Sequence, residues 1–238
     1  MEDNKIDISI VIPVYNEESI LHKSIEELHS MMVGFGRNFE IIISENGSKD
    51  KTREILEELC KKFKEVRYLT SENPDYGAAL KKGILAAKGD IVICDEIDLG
   101  IYNFYKSSIQ ILANDEADLV IGSKLLSGAR DERPFLRHLA TIIINLLLRL
   151  LLGFKGSDTH GLKSFRREKL LPIVNKCLVT KDLFASEFVI RAERENIRIK
   201  EIPLDVKEKR TPSINLFRRV PNVLKNLIKL FYVLRIKG

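Results

Sequence analysis

Disulfide chemistry is the first thing this sequence lacks. Of its 238 residues only Cys60, Cys94 and Cys177 are cysteines, and they show no metal-ligand spacing. A stapled scaffold and a thiolate zinc centre are therefore not expected, and a reducing, cytoplasmic setting suits the chain. No GxGxxG follows the first apolar run and no GxxxxGK[ST] occurs anywhere, so dinucleotide and P-loop chemistry lack support. No unbroken apolar run reaches the ~20 residues that a spanning helix needs. Met1 leads into acidic, polar residues, so no signal peptide is expected.

What is present suits a folded domain: 45% of residues are hydrophobic and 31% charged, too apolar for a disordered chain. The net charge of +5 is modest but unevenly placed, with acids frequent in the first hundred residues and basic clusters from Arg130 onward. That asymmetry predicts an anionic partner for the second half. Nucleic acid is not expected as that partner.

Apolar runs alternate with helical periodicity through the first half. Ile8 to Val14 reads as a strand, and Asn16 is placed to cap a following helix, with Glu17 and Glu18 near its dipole. Leu21, Ile25, Leu28 and Met32 mark the buried face of that helix. Phe39 to Ile43 is a second strand, stopping at Ser44-Glu45-Asn46-Gly47-Ser48, and Ile55, Leu59 and Phe63 share a helix face after it. Val66 to Leu69 is a third strand, and Ala78 to Ala87 returns as a helix. Ile91 to Cys94 is a fourth strand, buried by its composition. Such alternation predicts a parallel α/β sheet whose ligand crevice lies outside the carboxyl ends of its strands. Four polar signatures follow those strands directly: Pro13 to Glu17, Glu45 to Ser48, Asn73 to Gly77 and Asp95 to Asp98. They are expected to converge.

The fourth signature carries the most chemistry. Asp95, Glu96 and Asp98 crowd the end of a buried strand, which is unfavourable unless something cationic sits there. Carboxylate oxygens are the ligands that Mg²⁺ and Mn²⁺ prefer, usually together with a substrate phosphate. A solvated acidic turn is the plainer explanation for any isolated triplet of acids; the neighbouring signatures weigh against it.

The blocks "VIPVYNEE", "ENGSKDKT", "NPDYGAALKKG" and "GDIVICDEIDL" resemble, in order and spacing, those of inverting family 2 glycosyltransferases with the GT-A fold. The resemblance continues in "IGSK", "DTHGLKSF", "FASEF" and "IKEIPL". It is closest to the polyprenyl-phosphate hexosyltransferases, such as dolichyl-phosphate mannose and glucose synthases. The resemblance implies a Rossmann-like, mostly parallel sheet flanked by helices, with amphipathic interfacial helices in the second half. It implies that Pro13, Tyr15 and Glu17 hold the nucleoside, joined by Glu45 and Asn46 where the family commonly has two aspartates. Glu96-Ile97-Asp98 fills the place of the DxD motif, so Glu96 and Asp98 are the implied Mg²⁺ or Mn²⁺ ligands. Asp95 offers an alternative ligand, although on a strand it should point to the other face. Gly100 stands where relatives often have a glutamine that helps the metal.

In the second half Asp118 to Ser123 reads as a strand ending at Lys124, where the family often has an arginine. Arg130, Arg133 and Arg137 precede an apolar run from Leu139 to Leu152, interrupted by Thr141, Asn145 and Arg149. That run is too short to span a bilayer. Residues 134–153 are expected to form an interfacial segment that guides a lipid acceptor. Asp158 resembles an aspartate near the family's active site and Glu187 an acid nearby, while His160 receives no role. Relatives often have a phosphate-binding lysine after a serine where this chain has Ser213 and Ile214, and the resemblance leaves Arg210 as the expected substitute. From Pro221 a basic amphipathic helix is expected, with no further hydrophobic domain after it.

The resulting expectation is a domain over 1–210 with a tail over 211–238, peripheral at the inner membrane face. It would move a hexose from a nucleotide diphosphate sugar, GDP-mannose or UDP-glucose, to a polyprenyl (dolichyl) phosphate. Asp98, Lys124, Arg137 and Asp158 are its catalytic candidates. A phosphate acceptor is already mostly ionised at neutral pH, so no general base is obligatory. Two alternatives stay open. One is transfer to a sugar hydroxyl, with Asp158 or Glu187 taking the proton; the other is a non-catalytic nucleotide-sugar-binding protein, suggested by Glu45, Asn46 and Glu96.

Overall fold

The computed structural model describes residues 5–99, 101–130, 132, 135–206 and 216–237. Its first strand, β1 (Ile8–Val14), is buried along its whole length because helices cover both faces of the sheet. Successive residues feed opposite cores. Ile10 and Ile12 pack with α1 (Leu21–Gly34), α2 (Thr52–Lys62) and α4 (Tyr102–Ala113). Val11 packs on the other face, which α3 (Tyr76–Ala86), α6 (Arg167–Lys176) and α7 (Phe184–Arg194) cover. The period-2 alternation of a strand therefore survives inside an all-apolar run.

β2 (Phe39–Asn46), β3 (Val66–Ser71) and β4 (Ile91–Cys94) join β1 in parallel register. β5 (Leu119–Ser123), β6 (Lys163–Arg166) and β7 (Ile199–Pro203) complete a seven-stranded sheet of order β3-β2-β1-β4-β6-β5-β7. Only β6 departs from parallel: it runs antiparallel between β4 and β5 and carries Lys163 opposite Cys94. The sheet is thus mostly parallel rather than wholly so.

The capping expectation at Asn16 fails. α1 begins only at Leu21, without a side-chain cap and with no acid in its first turn. Asn16 instead takes φ 54°, a left-handed conformation tolerated by asparagine, and its N–H and side chain reach the loop after β2. Glu18 likewise accepts from Lys51 N–H rather than facing the dipole of its own helix.

The apolar run of the second half lies in a helix, α5 (Phe135–Leu152), within the expected segment 134–153. At 18 residues it is long and apolar enough by composition to cross a membrane, which revises the reading of the run as too short. It nevertheless lies on the domain, because Thr141, Asn145, Leu148 and Leu152 form one buried stripe. The tail is also part of the core. α8 (Leu216–Tyr232) buries Leu227 and Leu230 against the α5 side of the sheet, and Leu234 follows them there.

Candidate active site

The loops after the first three strands are locked together, which fixes the shape of the crevice. Asn16 N–H donates to Ser48 Oγ at 3.0 Å, Lys49 N–H to Asn16 Oδ1 at 2.8 Å, and Glu17 N–H to Thr52 Oγ1 at 2.9 Å. Asn46 Oδ1 accepts from Asp75 N–H at 2.7 Å, tying the loop after β2 to the one after β3. Asp75 then caps α3 through Ala78 N–H and accepts from Thr180 Oγ1 at 2.8 Å.

These bonds assign work to residues expected to touch a nucleoside. Glu45 is wholly buried; its carboxylate takes Ser48 N–H and pairs with Arg53 Nε at 2.9 Å. Asn46, Glu17 and Pro13 are buried too, while Tyr15 is 39% exposed. Glu45 and Asn46 therefore hold the loops in place, leaving Tyr15 as the accessible member of the set.

The acids after β4 divide by burial. Asp95 is buried and accepts Tyr105 Oη at 2.6 Å and Glu96 N–H at 2.7 Å. Burial pushes its carboxyl up to about 7 despite those bonds. Ile97 is buried as well, whereas Glu96 and Asp98 are both partly exposed. Two hard oxygen donors on the open side fit Mg²⁺ or Mn²⁺, which commonly take one or two carboxylates and complete their shell with phosphate and water. Among the described residues no group of three or more His, Cys, Asp or Glu side chains is placed to hold a metal ion by itself. Gly100 lies outside them.

Across β6 stands a turn, Asp158 to Gly161, that gathers two lysines. Lys124 Nζ pairs with Asp158 Oδ2 at 3.3 Å and donates to the His160 carbonyl at 3.3 Å. Lys163 Nζ donates to the Gly161 carbonyl at 2.7 Å. Burial works to raise the Asp158 pKa, but the Lys124 ammonium, the His160 N–H and the Lys163 charge outweigh it and hold Asp158 at about 2. Burial lowers Lys163 to about 8, against the opposing pull of Cys94 and Asp158. It also lowers His160 to about 4, so that imidazole is neutral at ordinary pH. The turn approaches β5 closely: a Cβ on Gly161 would lie 1.6 Å from the Gly122 carbonyl oxygen.

Asp158 has no exposed surface, so it orients Lys124 instead of meeting a substrate. Glu187 is equally buried: its carboxylate accepts Leu178 N–H at 2.9 Å and Val179 N–H at 2.6 Å and pairs with Arg191 at 2.8 Å. Arg137 sits partly buried in the first turn of α5. Arg133, Lys209, Arg210, Ser213 and Ile214 lie outside the described residues. Sequence reasoning gave Lys163 and Asn145 no role. A lysine in a four-residue strand reads as exposed, and an asparagine in an apolar run reads as an interruption.

Comparison with known proteins places this geometry. The family model described as "Glycosyl transferase family 2" matches residues 9–171. "Glycosyltransferase AglD" of Haloferax volcanii is 26% identical over 98% of this chain and 38% of its own length. "Dolichyl-phosphate beta-glucosyltransferase ALG5D" of Trichomonas vaginalis is 26% identical over 84% of this chain and 66% of its own. The chain thus spans from over a third to about two thirds of these relatives. Among solved structures, glucosyl-3-phosphoglycerate synthase from Mycobacterium tuberculosis, in complex with Mn²⁺, UDP-glucose and phosphoglyceric acid, superimposes with TM-score 0.66. It is 20% identical, and the match covers 95% of this chain and 80% of that one.

Proposed function

The chain belongs to glycosyl transferase family 2, with the GT-A fold, and from that premise we propose that it transfers a hexose, with inversion, from a nucleoside diphosphate sugar to a polyprenyl phosphate at a membrane surface. The observation that carries the acceptor class is α5. Its outer face presents Phe135, Leu136, Ile142, Ile143, Leu146 and Leu150 to solvent, at the helix whose first turn holds Arg137. An apolar surface of this extent is unusual on a soluble monomer and suits lipid contact. The name of the Trichomonas relative, a dolichyl-phosphate beta-glucosyltransferase, points the same way, and the Mn²⁺ and UDP-glucose of the mycobacterial complex support the donor class.

Tyr15 is the accessible group for the nucleoside, and Glu96 and Asp98 would hold Mg²⁺ or Mn²⁺ at the diphosphate. When bound, that ion supplies Lewis-acid stabilisation of the leaving diphosphate. Lys124, steadied by Asp158, and Arg137 offer positive charge to the acceptor phosphate. An acceptor phosphate oxygen attacks the anomeric carbon as the bond to the diphosphate breaks on the opposite side.

No protein base is required, and the acids nearest to hand are badly suited to be one. Asp158 is held at about 2 inside an ion pair, and Glu187 is consumed by three bonds. A hydroxyl acceptor, which needs a base, is supported less well for that reason. The phosphoglyceric acid bound by the mycobacterial enzyme keeps that second reading in the test.

The experiment incubates the purified chain with vesicles containing a short-chain prenyl phosphate, a panel of labelled nucleotide sugars, and Mg²⁺, Mn²⁺ or chelator. A metal-dependent label in the lipid phase is expected. Label appearing only on soluble sugars favours the hydroxyl acceptor, and nucleotide binding without any transfer favours a non-catalytic protein.

A further inference from the structure

Of the two helices with exposed apolar faces, α5 is hydrogen-bonded directly to the turn that holds Lys124, and α8 is linked to it through Asp182. From α5, Asn145 Oδ1 accepts Thr159 N–H at 3.3 Å while its Nδ2 donates to the Thr141 carbonyl at 2.9 Å. Asn145 is 1% exposed, on the stripe facing the domain. From α8, Asn226 Nδ2 donates to Asp182 Oδ2 at 3.2 Å. The Asp182 carbonyl in turn faces His160 Nε2 at 3.4 Å. A carbonyl can only accept, so Nε2 carries the imidazole proton, and Nδ1 accepts from Thr159 Oγ1 at 3.0 Å. Asp182 is held at φ 61°, a left-handed conformation that the surrounding contacts must enforce.

An apolar helix would pack better with leucine than with asparagine at a buried point of its stripe. With its amide N–H spent on the Thr141 carbonyl of its own helix, the Asn145 oxygen reaches outside the helix to the Thr159 N–H and so specifies where the turn sits. The turn's own partners then fix Lys124, through Asp158 Oδ2 and the His160 carbonyl.

We propose that Asn145 and His160 are positioning residues, which lock the turn Asp158–Gly161 to α5 and α8 and thereby hold the Lys124 ammonium in place for the acceptor phosphate. This rests on the reading of Lys124 as a phosphate-holding group. A merely structural role would lower the melting temperature and leave the environment of Lys124 unchanged once folded.

The test uses the full chain carrying Asn145→Leu, His160→Leu, His160→Gln or Asn226→Ala. The first readout needs no substrate: the acetylation rate of Lys124 relative to exposed Lys49, followed by mass spectrometry. The Lys124 side chain is 8% exposed and ion-paired, so it reacts slowly in the parent. Both leucine variants should raise that ratio about tenfold, the order that loss of one buried hydrogen bond implies. Glutamine at 160 keeps a donor toward Asp182 and should stay near the parent. Asn226→Ala, at a partly buried surface position, should give an intermediate rise and carries the test if the leucine variants do not fold. The second readout is KM: acceptor KM should rise while donor KM stays constant. Folded variants whose Lys124 reacts at the parental rate overturn the proposal. If the parent glycosylates no prenyl phosphate, the functional reading fails while the acetylation ratio still decides the positioning role.

Discussion

Tyr105 donates to Asp95 across 2.6 Å inside the core beneath α4, so one of the three acids after β4 is turned away from the crevice. The pair predicts a separation of effects. Asp95→Asn and Tyr105→Phe should each lower stability by ~1–3 kcal/mol, because each leaves a buried polar group poorly satisfied. Asp98→Asn should leave the melting temperature within a degree or two of the parent and abolish metal-dependent transfer. Calorimetry beside the transfer assay checks this. If Asp98→Asn is the unstable variant and Asp95→Asn the inactive one, the roles of the two carboxylates are reversed.

Gly161 is required by proximity rather than by its dihedrals. Its Cβ would sit 1.6 Å from a backbone oxygen of β5, which cannot swing aside as a side chain tip would. Gly161→Ala should cost more than about 3 kcal/mol, beyond ordinary overpacking. Gly34→Ala, where a Cβ meets nothing within 4 Å, is the control and should be neutral or slightly stabilising. Urea midpoints of the two variants would show it, and similar midpoints would mean that the turn and β5 separate easily.

The first half of this architecture is legible because its determinants are local. Runs such as Ile8–Val14 and Ile91–Cys94 are apolar throughout, and only a strand covered on both faces needs that. β6 is not legible in the same way: two of its four residues are charged, and its partners lie more than forty residues away in the sequence. Asn16 misled for a related reason. An asparagine before a helix reads as a cap, yet its partners Ser48 and Lys49 are 32 and 33 residues distant. The site residues were visible as types, and what they do was decided by burial. Glu45 and Asp158 have the chemistry of ligand-contacting groups, but neither has exposed surface.

The neutral imidazole of His160 predicts a pH dependence with a definite sign. Its folded pKa, about 4, lies below the ordinary 6.5, so the unfolded chain takes up a proton first as pH falls. Its contribution is therefore fully present above about pH 6.5 and lost progressively down to about 4. Asp158, at about 2 against an ordinary 3.8, adds a second loss only between those values. Urea titrations at pH 7.5, 5.5 and 4.5 should show the parent weakening across the upper interval by on the order of 2 kcal/mol more than His160→Gln does. Parallel curves for the two proteins would contradict a neutral, desolvated His160.

The exposed apolar faces of α5 and α8 predict peripheral binding to a membrane. Leu150 and Ile228 are each 72% exposed, and Lys225 and Lys229 flank the latter. Burying one such side chain in lipid is worth ~1.5–3 kcal/mol, while each lysine near an anionic surface adds ~1 kcal/mol that salt screens. Leu150→Glu and Ile228→Glu together should therefore reduce co-sedimentation with anionic vesicles by more than tenfold. The melting temperature should not move, since neither side chain is packed in the core. Raising salt should weaken the parent only in part, because the apolar component is not screened. The buried stripe Thr141, Asn145, Leu148 and Leu152 keeps α5 on the domain, so the parent should be extractable from vesicles without detergent by combined high salt and alkaline wash. A parent that stays with the lipid through that wash would mean that α5 leaves the domain and inserts, and one that never binds vesicles would remove the membrane from the account altogether.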